Sequence, residues 1–131
     1  MCGRYALYSE NKIQSKFNKN IKIDQNFNVT PNKQVLIIDK DKNLIKVKWG
    51  IKPSWKKTII INARNETFRY KKTFCNLDRC VFIADGYYEW KRKKGVKEPF
   101  YHYLEKDLLF FAGLYSKDGC CIVTKESFHY L

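Results

Sequence analysis

Hydrophobic and polar positions alternate most clearly over residues 44–49, where Ile45, Val47 and Trp49 face one way and Lys46 and Lys48 the other. A period of two predicts a strand with one buried face. Residues 35–39 form a second apolar run, and the Lys40-Asp41-Lys42-Asn43 segment between them reads as a turn. Upstream, residues 4–8 predict a short strand. Ser9-Glu10 then starts a helix with Ile13 and Phe17 on one face. The polar stretch 18–32 reads as a long loop, and residues 49–55 as a loop carrying Trp49 and Trp55. Residues 59–62 predict an apolar strand and 66–72 a short helix. Strands over 79–85 and 87–91 meet at Gly86 and lead into a turn at Lys93-Lys94-Gly95. Strands over 99–104 and 108–115 are expected to pair across Glu105-Lys106-Asp107. A final strand covers 120–123, after which Thr124 caps the first turn of a helix. Many short strands with a few short helices indicate an α+β fold: a strongly bent, mostly antiparallel sheet or open barrel in one domain.

Composition sharpens the class. The 131 residues are 44% hydrophobic, with 9 Tyr, 9 Phe and 3 Trp, enough for a real core rather than a disordered tail. No apolar run approaches a membrane span of roughly 18 residues, and the start of the chain has no signal-like apolar region. A reducing intracellular setting, cytoplasmic or beside nuclear or nucleoid DNA, is therefore expected. The spacings of Cys2, Cys75, Cys80, Cys120 and Cys121 do not fit the usual zinc sites. Reduced, mostly buried cysteines are expected, with no metal and no cofactor.

A net charge of +13 points to a polyanionic partner, most simply nucleic acid. Lys, Asn and Ile richness can also reflect base composition of the gene. The five arginines, Arg4, Arg64, Arg69, Arg79 and Arg92, are more telling, because a guanidinium grips phosphate bidentately.

Cys2 directly follows Met1. With Met1 removed, Cys2 presents an α-amine and a thiol on neighbouring carbons, with reference pKa values near about 8 and about 8.5. Such a 1,2-aminothiol traps an aldehyde as a Schiff base, which the sulfur closes to a thiazolidine. From position alone, a small residue after the start is the plainer reading.

Further strings alter that balance: Met1-Cys2-Gly3-Arg4-Tyr5, the loop from Trp49 to Trp55, Asn62-Ala63-Arg64-Asn65-Glu66-Thr67, and Arg79-Cys80 running into Gly86-Tyr87-Tyr88-Glu89-Trp90. Asn28-x-x-Pro31 and Phe111-Ala112-Gly113-Leu114-Tyr115 accompany them. In this order they resemble the SOS-response-associated peptidase (SRAP) family over nearly the whole chain. The resemblance implies protection of abasic sites in single-stranded DNA through a covalent thiazolidine, and an autopeptidase activity that exposes the cysteine. It implies Cys2 as nucleophile, Asn62 as the orienting amide and Glu89 as the proton-transfer group. Arg4, Arg64 and Arg79 would hold flanking phosphates, Trp55 would stack beside the missing base, and Thr124 would lie near the abasic nucleotide. Abasic single-stranded DNA is then the partner of a monomer. The family continues into a helix and a His-x-Arg-Met-Pro motif that residues 1–131 do not contain; the chain is a fragment or a short form. His129 lies too close to Thr124 to be that histidine, and His102 falls in an unrelated strand.

Other readings stand beside these. Alternation assigns Trp49 to the core, whereas Trp55 follows Pro53 in a loop. Glu66 is assigned to a helix N-terminus, and Lys91-Arg92-Lys93-Lys94 to a solvated hairpin. The alternatives to covalent capture are a non-catalytic module binding single-stranded nucleic acid, and a thiol autopeptidase.

Overall fold

The computed structural model describes residues 2–126. The alternating segments form the strands that their pattern predicts. β1 (Tyr5–Leu7) leads to α1 (Glu10–Phe17), then β2 (Asn26–Val29), β3 (Gln34–Ile38), β4 (Leu44–Lys48) and β5 (Asn62–Arg64). β6 (Asp78–Ala84), β7 (Gly86–Lys93), β8 (Val96–Tyr103), β9 (Leu109–Ser116) and β10 (Gly119–Thr124) follow. They build a four-stranded sheet, β2-β1-β7-β8, and a six-stranded sheet, β4-β3-β6-β9-β10-β5. Pairing is antiparallel except between β5 and β10. The sheets are open. The larger one curls until Trp49, one residue past β4, bridges Cys120 on β10. The fold is thus broadly α+β with a low helix content, and the bending is shared between two sheets.

The chain crosses between sheets at Asp85 and Gly86. Asp85 is buried, and its carboxylate accepts from Tyr8 N at 2.7 Å, Ser9 N at 2.9 Å and the Ser9 hydroxyl. Three donors satisfy an anion that burial would otherwise penalise. Ser9 therefore ties α1 to this corner instead of capping the helix with its side chain. Gly86 has a steric reason: a Cβ there would sit 2.3 Å from Tyr101 Cζ and 2.7 Å from the His102 carbonyl oxygen.

The core lies between the sheets. Tyr5, Ile13, Ile37, Trp49, Phe82, Ile83 and Cys120 are fully buried. Trp49 packs 5.2 Å from Tyr5 and 6.1 Å from Phe82, ring to ring, and its indole N–H donates to Ile61 O at 3.2 Å. A smaller cluster of Ala63, Phe74, Leu114 and Cys121 forms on the outer face of the six-stranded sheet.

Four expectations change. The stretch 18–32 contains β2, which pairs with β1 although most of its side chains are exposed. The strand expected at 59–62 begins at Asn62, where pairing with β10 becomes continuous; upstream, Ile60 bridges Ile51. The helix expected over 66–72 is two 3₁₀ turns, Phe68–Tyr70 and Lys72–Phe74, broken at extended Lys71. Phe68 and Phe74 are six apart and would diverge on one helix; the break lets both meet the Ala63–Cys121 cluster. Finally, β8 and β9 do not pair. β8 pairs with β7 across a turn in which Lys94 and Gly95 both have positive φ, while β9 lies between β6 and β10. Successive positive φ values match the twist of a tight hairpin, so this turn takes β8 into the smaller sheet. The helix expected after Thr124, and His129, lie outside the described residues.

Candidate active site

Cys2 leads into β1, and its position is fixed by the strands that β1 meets. Tyr5 pairs with Tyr87 and Ala6 with Gly86, and the Tyr88 amide donates to Arg4 O at 3.0 Å. β7 is therefore bound to the N-terminal segment just where it carries Glu89. From the other sheet, the Asn62 amide donates to Cys2 O at 3.1 Å and to Ile122 O at 3.5 Å. Asn62 is presented by the parallel pairing of β5 with β10, Asn62 opposite Ile122 and Arg64 opposite Thr124. Its Oδ1 is buried without a hydrogen-bond partner. Segments some 60 and 87 residues from Cys2 in sequence thus converge on it.

The Cys2 thiol is half-buried and points toward Arg4 O, 3.9 Å away. Burial pushes its pKa up to about 11; a backbone hydrogen bond with Arg4 and the positive charge of the chain terminus pull it down, and the Glu89 carboxylate opposes ionisation further. Cys80 and Cys121 are pushed to about 12, again by burial first. These two are shielded core groups, whereas Cys75 is exposed and Cys2 is half-buried within reach of the Glu89 charge. Among the described residues no three His, Cys, Asp or Glu side chains gather as metal ligands.

Glu89 stands on the face of β7 that also carries Tyr87, and the register sets these opposite Phe100 and His102 on β8. His102 Nε2 lies 3.7 Å from Glu89 Oε2, and the His102 ring stacks on Tyr87 with centroids 4.9 Å apart. Burial, then Glu89, then Cys2 raise the pKa of Tyr87. Tyr87 and His102 therefore belong to the cluster, although the motif strings did not single them out. The period-two pattern of Tyr87 and Glu89 was the available signal. His102 needed the β7–β8 register.

The basic and aromatic residues sort by position. Arg4 donates to Asn28 Oδ1 at 3.4 Å, which gives Asn28 a role in holding the guanidinium. Arg64 is exposed, two residues beyond Asn62 on the same face, and Thr124 is beside it at the end of β10. Trp55 is 68% exposed in the loop 52–59, whose base is closed by paired backbone bonds between Ile51 and Ile60. Lys52, Lys56 and Lys57 are exposed in the same loop. Arg79 is not brought to this cluster. It pairs with Leu114, whose side chain belongs to the outer cluster, so Arg79 stands on the opposite face of the six-stranded sheet from Asn62. A cavity of about 360 Å³ between β2 and the β3–β4 hairpin also lies apart from Cys2, Asn62 and Glu89. Glu66 accepts from Glu126 N at 3.0 Å, which lowers its pKa and fastens the exit of β10 rather than a helix start.

A two-sheet β fold here brings together a half-buried thiol, an amide that holds the same residue's carbonyl, and a carboxylate whose charge the thiol feels. Residues 1–131 match the family described as SOS response associated peptidase (SRAP), and the chain belongs to that family. It is 39% identical over 140 residues to the abasic site processing protein YoqW of Bacillus subtilis, covering 89% of this chain and 61% of the relative. Its identity to the abasic site processing protein YedK of Escherichia coli is 33% over 119 residues, covering 79% and 54%. The chain thus spans roughly three fifths or less of these relatives. A phage-related protein from Bordetella bronchiseptica shares the fold with a TM-score of 0.76 at 27% identity, covering 95% of this chain and 69% of that one. Among the described residues no helix is long and apolar enough to cross a membrane.

Proposed function

We propose that this protein captures abasic sites in single-stranded DNA covalently, through Cys2 with Met1 removed. The α-amine of Cys2 attacks the C1′ aldehyde of the ring-opened sugar, and loss of one water leaves a Schiff base. The sulfur then adds to the C=N carbon, and the thiol proton ends on the ring nitrogen of a thiazolidine. With Met1 in place, burial raises the pKa of the Cys2 thiol to about 11. The same burial opposes thiolate formation once Met1 is removed, so ring closure calls for a base, and Glu89 is the carboxylate that the thiol senses. Asn62 orients the residue by holding its carbonyl. Arg4 and Arg64 would take phosphates, Thr124 would border the abasic nucleotide, and Trp55 would stack on a neighbouring base. Arg79 would meet only DNA that continues around the sheet edge.

The observation that carries this reading is the 3.1 Å bond from Asn62 to the Cys2 carbonyl. Kept after Met1 removal, this bond would set the direction in which a terminal Cys2 presents its amine and thiol. The test is incubation of Met1-free protein with abasic, intact and nicked single-stranded oligonucleotides, read on denaturing gels after heating. A heat-stable adduct is expected with the abasic strand alone and is lost in Cys2→Ser, because an oxazolidine is less stable than a thiazolidine. An equal heat-stable adduct from Cys2→Ser would overturn the chemistry. The largely protonated thiol favours one second reading, a binding module that retains affinity without capture. Salt-dependent binding with no adduct from folded, Met1-free protein would establish it.

A further inference from the structure

We propose that His102 is a positioning residue for Glu89 and that the two side chains act as one proton-relay pair beside Cys2. The inference rests on the capture reading above and extends it to a residue on a separate strand. Three observations support it. His102 Nε2 is sealed from solvent and has no hydrogen-bond partner, although the side chain as a whole is 40% exposed. Buried polar nitrogens are normally paired, and Glu89 Oε2, at 3.7 Å, is the acidic oxygen in reach. A small side-chain rotation closes that gap to a charge-assisted hydrogen bond. The imidazole is also held in plane, stacked at 17° on Tyr87, so the nitrogen keeps facing the carboxylate while a proton is exchanged.

Among the described residues, β1, β7, β8 and β9 supply the groups around His102. On this face β7 presents Tyr87, Glu89 and Lys91, and β8 presents Glu98 beyond Phe100. Lys91 is drawn over the Phe100 ring, 5.1 Å from its centroid. Tyr5 of β1 pairs with Tyr87, and β9 contributes apolar Phe111 against the Tyr87 ring. The Cys2 thiol is electrostatically coupled to Glu89 and Tyr87. In ring closure, Glu89 takes the thiol proton as the C–S bond forms, and the proton is returned to the ring nitrogen. His102 fixes the carboxylate's rotamer and shares the proton in transit, being returned unchanged. No external acid, oxidant or reductant is needed.

The test has two arms. Nuclear magnetic resonance of the His102 imidazole at fixed pH reads the pair without DNA. Replacing Glu89→Gln should move the His102 ring resonances, because the carboxylate is the group facing Nε2. The second arm is the initial rate of adduct formation against pH. His102→Gln and the ring-retaining His102→Phe should both slow capture at least about tenfold without changing affinity for intact single-stranded DNA. Both should also change the pH profile of the rate. Unmoved His102 ring resonances in Glu89→Gln overturn the pair. So do capture rates and pH profiles in both His102 variants that match the wild type. Absence of any wild-type adduct alongside moved ring resonances defeats the capture reading and leaves the coupled pair standing.

Discussion

Asn62 offers the sharpest perturbation of the site. Its amide is the donor for the Cys2 carbonyl at 3.1 Å, and the same NH₂ group reaches Ile122 O at 3.5 Å. Asn62→Ala removes the donor and leaves a partly enclosed carbonyl without it. Stranding such a group costs about 1–3 kcal/mol. The cost falls on the seated position of Cys2, because a released terminus regains water and chain entropy. At about 1.4 kcal/mol per factor of ten, the seated fraction drops about 5- to 150-fold. The initial rate of adduct formation with abasic single-stranded DNA should fall by that factor. Asn62→Asp should lose at least as much, since it sets an anionic oxygen against two carbonyls. Urea unfolding separates this from general damage: the fold should lose no more than the stranded-carbonyl cost, and affinity for intact DNA should be kept. A rate within twofold of wild type in Asn62→Ala, with the protein folded, would refute the argument that this bond seats the nucleophile.

Affinity for single-stranded DNA should fall steeply with salt, and Arg64→Ala should weaken it more than Lys93→Ala or Arg79→Ala in fluorescence anisotropy; equal effects would mark the charge as compositional. Gly86→Ala places a methyl 2.3 Å from Tyr101 Cζ and 2.7 Å from the His102 carbonyl oxygen, and overpacking of this kind should cost about 1–3 kcal/mol in urea unfolding. Under reducing conditions stability should fall as pH rises above about 9. Cys80 and Cys121 hold their protons to about 12 when folded, whereas the ordinary value is 9.0. Between those values the unfolded chain binds fewer protons, so each such group removes about 1.4 kcal/mol per pH unit. Cys121→Ala should flatten the slope by about that amount, and an unchanged slope would contradict the burial.

Local pattern revealed elements better than partners. The β3–β4 hairpin was legible because Ile45 and Val47 alternate with lysines and a polar turn separates two apolar runs. Trp49 belonged to the same alternation and is fully buried. β2 was not legible, since Asn-Phe-Asn-Val buries only Val29 and owes its form to β1. The pairing of β8 is not legible either, because a three-residue polar turn before β9 resembles a hairpin loop. Leu108 beside it is buried, and the chain uses that turn to change sheets. No short-range signal distinguishes those outcomes. In the site, Cys2, Asn62 and Glu89 were recognisable as motif residues, and the structure places them together. By sequence, His102 falls in a strand unrelated to these motifs. Its approach to Glu89 depends on a diagonal across a ladder, which sequence spacing does not contain.

Chain termini usually fray because nothing compensates their ordering. Here the segment from Cys2 to Leu7 is gripped from both sheets: by Asn62 at the Cys2 carbonyl, by Tyr88 at the Arg4 carbonyl, and by pairing of Tyr5 and Ala6 with Tyr87 and Gly86. The strand that holds this segment is the strand that carries Glu89, so Cys2 and the carboxylate share one register. A slip of one residue along β7 would turn Glu89 to the other face of the sheet. Gly86 guards against it, because only a residue without Cβ fits beneath Tyr101 at the point where β7 begins. The buried Asp85 fixes the preceding corner to Tyr8 and Ser9, just past the end of β1. The register that brings Cys2 and Glu89 to one sheet is thus fixed at the crossover, while burial of Cys2 itself raises the pKa of its thiol to about 11.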